Sequence, residues 1–62
     1  MNGVAARQYG TRVHQASGMV TVQVGCTIDD AIALMSDRAS KSKQTLDAVA
    51  TAVIERRIRF SR

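Results

Sequence analysis

The sequence predicts a small all-α domain, a three-helix bundle, and three observations predict it. Apolar residues recur at three- and four-residue spacing in three successive stretches. Threonine-led openings with early aspartates precede the second and third stretches, and no proline interrupts the chain. Amphipathic helices joined by short connections close on one another as a bundle. With 62 residues the chain sits near the lower size limit for unaided folding. Its lone cysteine, Cys26, has no partner for an internal disulfide or a metal pair and is read as a small buried hydrophobe. Pairing of two copies is the expected remedy for so small a core.

The first element follows a lead, residues 1–10, read as flexible or helical. The helix is expected to begin between Ala5 and Thr11, because Gly10 disturbs the pattern. Its apolar marks are Val13, Ala16, Val20 and Val24, with Met19 and Val22 widening that face. The β-branched run Val20-Thr21-Val22 would suit a strand, but no partner strand stands elsewhere in the sequence. Gly25 is the expected stop, since a left-handed conformation costs glycine little. Within this helix three small residues, Ala16, Ser17 and Gly18, stand together. Gly18 gives up roughly 1 kcal/mol of helix propensity relative to alanine, which points to a close approach by another helix or by a ligand.

The second helix opens at Thr27, whose hydroxyl caps, with Asp29 and Asp30 in the first turn where the helix dipole favours negative charge. Its apolar marks are Ile28, Ala31, Ile32, Met35 and Ala39, and the polar tract Ser40-Lys41-Ser42-Lys43-Gln44 ends it. Thr45 caps the third helix, which carries Leu46, Val49, Ala50, Val53, Ile54 and Ile58. A basic last turn through Arg56, Arg57 and Arg59 is expected to complement its dipole, and residues 61–62 form a tail.

Nine Lys and Arg against five Asp and Glu give a net charge of +4 and a pI near 10.3, the electrostatic footprint of a nucleic-acid binder. Only two aromatic residues, Tyr9 and Phe60, are present, which argues against the stacking platforms of sheet-based RNA binders. No apolar run approaches about 20 residues, and no charged start leads into an apolar stretch, so a cytoplasmic protein without membrane contact is expected. Catalysis is poorly supported. His14 is the only histidine and has no carboxylate at helical spacing, while Asp29 and Asp30 suit capping better than paired acid–base work. No glycine-rich phosphate loop or metal-ligand spacing is found, so no enzyme, cofactor or metal is expected.

The run Val13-His14-Gln15-Ala16-Ser17-Gly18-Met19-Val20 followed by Val24-Gly25 resembles the first helix of ANTAR domains, the RNA-binding modules of bacterial transcription antitermination regulators. Asp30-Ala31, Met35 and Ala39 are similar to positions of that family's second helix, and Leu46, Val49, Ala50 and Val53 to its third. The closing Arg57-Ile58-Arg59-Phe60 is similar to the end of actinobacterial members, so the likeness runs from about Thr11 to Phe60. The sequence departs from the family pattern at Ser17, where lysine is usual, and at Gly10, Ser36, Ser40 and Thr45.

The resemblance implies a three-helix domain over residues 11–60 that binds paired RNA hairpins with small loops as a homodimer, under control of a sensor domain or separate partner protein. By position it places Ala16 and Gly18 where the family's first helix meets RNA closely. The capture expected from this sequence sets Arg12, Gln15, Ala16, Ser17 and Gly18 at the RNA loop and uses the basic residues Arg38, Arg56 and Arg57 to fix the RNA backbone. Two other readings compete. In one, the module has lost RNA binding and dimerises through Met19, Val20 and Val24. In the other, the third helix enters a DNA major groove, but Asp47, Thr51 and Glu55 give it few base-reading side chains.

Overall fold

A computed structural model describes residues 9–61. Among them lie three helices, α1 (Thr11–Val24), α2 (Ile28–Lys41) and α3 (Leu46–Ile54), and no strand. The expected all-α three-helix bundle is therefore the observed architecture. Arg7, most of the 1–10 lead and Arg62 of the tail lie outside the described residues.

The two threonine caps behave as their chemistry dictates. Thr27 Oγ1 accepts the Asp30 N–H at 3.1 Å, and Thr45 Oγ1 accepts the Ala48 N–H at 3.0 Å. At its start, by contrast, α1 is preceded by Gly10, which offers no side-chain cap.

All three helices close in the same way, with one residue in the left-handed region. At Gly25 φ is 69°, and the Cys26 N–H reaches back to the Thr21 carbonyl at 3.2 Å. Lys43 takes that role after α2 with φ 56°, the Gln44 N–H donating to the Ala39 carbonyl at 2.9 Å. After α3 it falls to Arg56 with φ 62°, the Arg57 N–H donating to the Ala52 carbonyl at 2.9 Å. Only the first closure uses the residue type that adopts this conformation without a Cβ clash. Exchanging Lys43 for glycine should therefore stabilise the domain by about 0.5–1 kcal/mol, read as a rise of a few degrees in melting temperature.

The third closure corrects one expectation. Arg56, Arg57 and Arg59 are not the last turn of α3, because the helix ends at Ile54 and the chain turns away through the left-handed Arg56. The arginines thus belong to a non-helical segment, and its path decides where their charge goes.

The core is aliphatic and built of unequal partners. Met35, Val20, Val49 and Val53 are its largest fully buried side chains, and Ala16, Ala31 and Ala50 are buried beside them. Full burial of each large aliphatic group contributes about 1.5–3 kcal/mol. The alanines let the backbones approach closely, so a short α3 packs against both longer helices, most extensively against α1. Across the Gly25–Thr27 corner the axes of α1 and α2 turn by 102°. Tyr9, Met19, Cys26, Leu46, Ile54, Ile58 and Phe60 border the core as partly buried groups. Cys26 is thus half-buried rather than enclosed.

Two apolar marks do not face inward. Val22 is 85% exposed, because it stands two residues from buried Val20 and so points to the opposite side of α1. Ile28, at the first position of α2, is 38% exposed. No single helix among the described residues is long and apolar enough to cross a membrane.

Candidate nucleic-acid interface

Helix α1 has two faces, set by 3.6-residue periodicity. Val13, Ala16, Ser17, Val20 and Val24 point into the bundle, while Thr11, Gln15, Gly18 and Val22 follow one another along the solvent side. This phase divides the three small residues.

Ala16 and Ser17 are completely buried by the chain's own helices, so neither meets an external ligand, and the RNA contact expected of them is corrected. The physical reason is helix–helix packing. Ser17 stands four residues after Val13 and three before Val20, inside the apolar stripe, and its hydroxyl donates to the His14 carbonyl at 2.7 Å. Such local back-bonding satisfies a buried serine without any outside partner. A lysine, usual here in the resembling family, would find only protein around it.

Gly18 is different. It is partly exposed, and a Cβ built on it meets nothing within 4 Å. Neither of the other helices explains this glycine by contact. The neighbouring surface is polar where backbone groups are already used, with Thr21 Oγ1 donating to the Gly18 carbonyl at 2.6 Å. Gln15 and His14 are exposed on the same helix.

The basic residues come to α1 by two routes. Arg12 reaches across to α3, where Nη1 donates to Asp47 Oδ2 at 3.0 Å, with both side chains 56% exposed. Arg57 lies over the same part of α3, beside Thr51 and Ala52, and pairs with Glu55 at 3.0 Å. Exposed pairs of this kind contribute at most about 1 kcal/mol and exchange readily for another anion.

The second route is the segment after α3. The Phe60 N–H donates to Gln23 Oε1 at 2.9 Å, a bond between residues 37 positions apart. That bond returns the C-terminal segment to the last turns of α1, and Arg56 and Arg59 thereby line a surface together with Met19, Val22 and Gln23. Arg38 of α2 lies against the same segment, its guanidinium carbon 6.0 Å from the centroid of the Phe60 ring. Among the described residues Arg38, Arg56 and Arg59 make no ion pair, whereas Arg12, Arg57 and Lys41 each do.

Of the expected site, the structure thus brings Gly18 and Gln15 to the outside of α1 and gathers Arg56 and Arg38 around its end through Phe60 and Gln23. Arg12 and Arg57 stand as a separate pair over α3. Sequence reasoning missed Arg59, Val22 and Gln23. The outward phase of Val22 was readable from its spacing to Val20, but nothing local announces the Gln23–Phe60 bond. The dimer seam through Met19, Val20 and Val24 is also corrected, since Val20 and Val24 are buried within the chain.

No group of three or more His, Cys, Asp or Glu side chains able to hold a metal ion occurs among the described residues. Compared with protein-family models, with curated proteins and with solved structures, the chain matches none.

Proposed function

We propose that this chain is a non-catalytic RNA-binding module that captures looped RNA hairpins and acts in transcription antitermination, two copies pairing to engage two adjacent hairpins. The observation that carries the reading is the Phe60–Gln23 hydrogen bond, which lays an arginine-bearing segment against the exposed side of α1. Around it lie a net charge of +4, a helix backbone open to approach at Gly18, and three arginines without ion partners among the described residues, Arg38, Arg56 and Arg59. The ordered resemblance to ANTAR domains supplies the ligand class.

In this reading Gln15 and Gly18 face the hairpin loop, where unpaired bases are accessible to a helix that has no readable groove to enter. Arg38, Arg56 and Arg59 take the phosphates, with Arg12 and Arg57 exchanging their carboxylate partners for the RNA backbone. Pairing raises the affinity for a dual-hairpin target through effective concentration rather than new contacts. Control by a sensor domain or partner protein, and a cytoplasmic location, belong to the same proposal.

The test is an electrophoretic shift with a dual-hairpin RNA, a scrambled RNA of the same length and duplex DNA. Preferential retardation of the hairpin RNA is expected, whereas equal retardation of all three would reject the reading. Phosphate contact by Arg38, Arg56 and Arg59 further predicts a roughly thirtyfold fall in the affinity of one copy for a single hairpin between about 50 and 200 mM salt. An affinity insensitive to salt would remove the arginines from the interface.

A further inference from the structure

The surface that Arg56 and Arg59 share with α1 has a second character, which RNA binding does not use. Half-buried Met19 and Ile58 and exposed Val22 give an open groove of about 440 Å³, between α1 and the returning segment, its apolar lining, and among the described residues its remaining lining is Gln23, Arg56 and Arg59. Among the described residues no carboxylate lines it. Val22, at 85% exposure, is the most exposed large hydrophobic side chain among the described residues and stands at the edge of this groove. Gln23 is held by the Phe60 N–H, so the wall formed by the segment is tied to the helix rather than left loose.

We infer that this groove docks an acidic amphipathic helical segment of a partner protein, its aliphatic side chains on Met19, Val22 and Ile58 and its carboxylates on Arg56 and Arg59. Charge complementarity selects this occupant. An apolar lining with guanidinium groups beside it matches a helix that presents leucine-like anchors at i, i+3, i+4 and i+7 flanked by Asp and Glu. A nucleotide fits less well, because among the described residues the lining holds no aromatic ring for a base to stack on, and the nearby Phe60 ring is engaged by Arg38. A second copy of this chain fits less well too. A two-fold contact here would set Arg56 and Arg59 against their own copies, and like charges across an interface cost several kilocalories.

The test uses the intact chain and a synthetic peptide of about fourteen residues, four helical turns, with leucines at i, i+3, i+4 and i+7 and glutamates between. A control peptide has the same composition with the leucine spacing scrambled. Fluorescence anisotropy of the labelled patterned peptide should show saturable binding that the scrambled peptide lacks. Val22→Glu and Arg59→Glu should each weaken it by at least about tenfold, while Lys43→Glu, away from the groove, leaves it unchanged. Circular dichroism checks that each variant keeps its helices, which Val22 and Arg59 permit because both are exposed. Failure of the patterned peptide to bind, equal binding of the scrambled peptide, or indifference to Val22→Glu overturns the proposal. So does a sedimentation result in which Val22→Glu splits a dimer into monomers, since the groove would then hold a second copy. Arg59→Glu is expected to weaken hairpin RNA binding as well, since Arg59 serves both readings, so Val22→Glu separates them. Loss of peptide binding with hairpin retardation kept supports the groove, and failure of the wild-type chain to retard hairpin RNA rejects only the RNA reading.

Discussion

Glutamate in place of Gly18 is expected to abolish hairpin binding, lowering affinity roughly hundredfold, while the domain becomes no less stable. Both halves follow from the same geometry. Gly18 lies on the outward side of α1, and a Cβ at this position meets nothing within 4 Å, so the new side chain displaces no part of the protein. Replacing glycine within a helix should even recover a few tenths of a kcal/mol to about 1 kcal/mol of helix propensity. Toward RNA the effect is the reverse. A carboxylate beside phosphates costs several kilocalories across an interface, and each 1.4 kcal/mol or so is tenfold in affinity. Melting temperature and electrophoretic shift should therefore move in opposite senses. Retained hairpin binding by a folded Gly18→Glu variant removes α1 from the interface and with it the proposed mode of capture.

The second large effect is at the next residue toward the N-terminus, where the expected loss is of folding. Ser17→Lys should leave the domain largely unfolded at room temperature. Ser17 is fully buried, and an ionised group taken from water into such a site costs several kilocalories even after relaxation. A domain of 62 residues, at about 0.05–0.15 kcal/mol per residue, holds roughly 3–9 kcal/mol in total. Helicity by circular dichroism reads the outcome directly. The companion variant, Ser17→Ala, separates packing from contact. It deletes a hydroxyl that, among the described residues, bonds only the His14 carbonyl, and substitutes the best helix former, so stability should change by less than about 1 kcal/mol and RNA affinity by less than about twofold. A Ser17→Ala variant with unchanged melting and sharply weaker RNA binding would return Ser17 to the surface.

These two neighbours show how far the candidate site could be read in advance. That something must approach α1 closely near Ala16, Ser17 and Gly18 was legible from their size. The stripe Val13, Val20 and Val24 even contained the phase that sends Ser17 inward and Gly18 outward. What the cluster of small residues could not disclose was that its members face in two directions. Ala16 and Ser17 are enclosed within the bundle, and of the three only Gly18 is open to solvent, with nothing within 4 Å of a Cβ placed there. The arginines after α3 were equally visible as a charge cluster. Reading them as a helical last turn failed because nothing about Arg56 in isolation reveals a left-handed φ of 62°.

The amino-acid sequence by itself determined the three helices, their threonine caps and the glycine stop after α1, because each depends on groups within a few residues of one another. It also determined the strong positive charge. The tertiary structure alone decided where that charge lies and which residues share a surface. The Gln23–Phe60 bond joins groups 37 positions apart, and Arg38 meets Phe60 only after α2 has turned by 102° from α1. Such contacts form between elements whose relative placement is set by packing of Met35, Val20, Val49 and Val53, a property of the assembled core that no local pattern encodes.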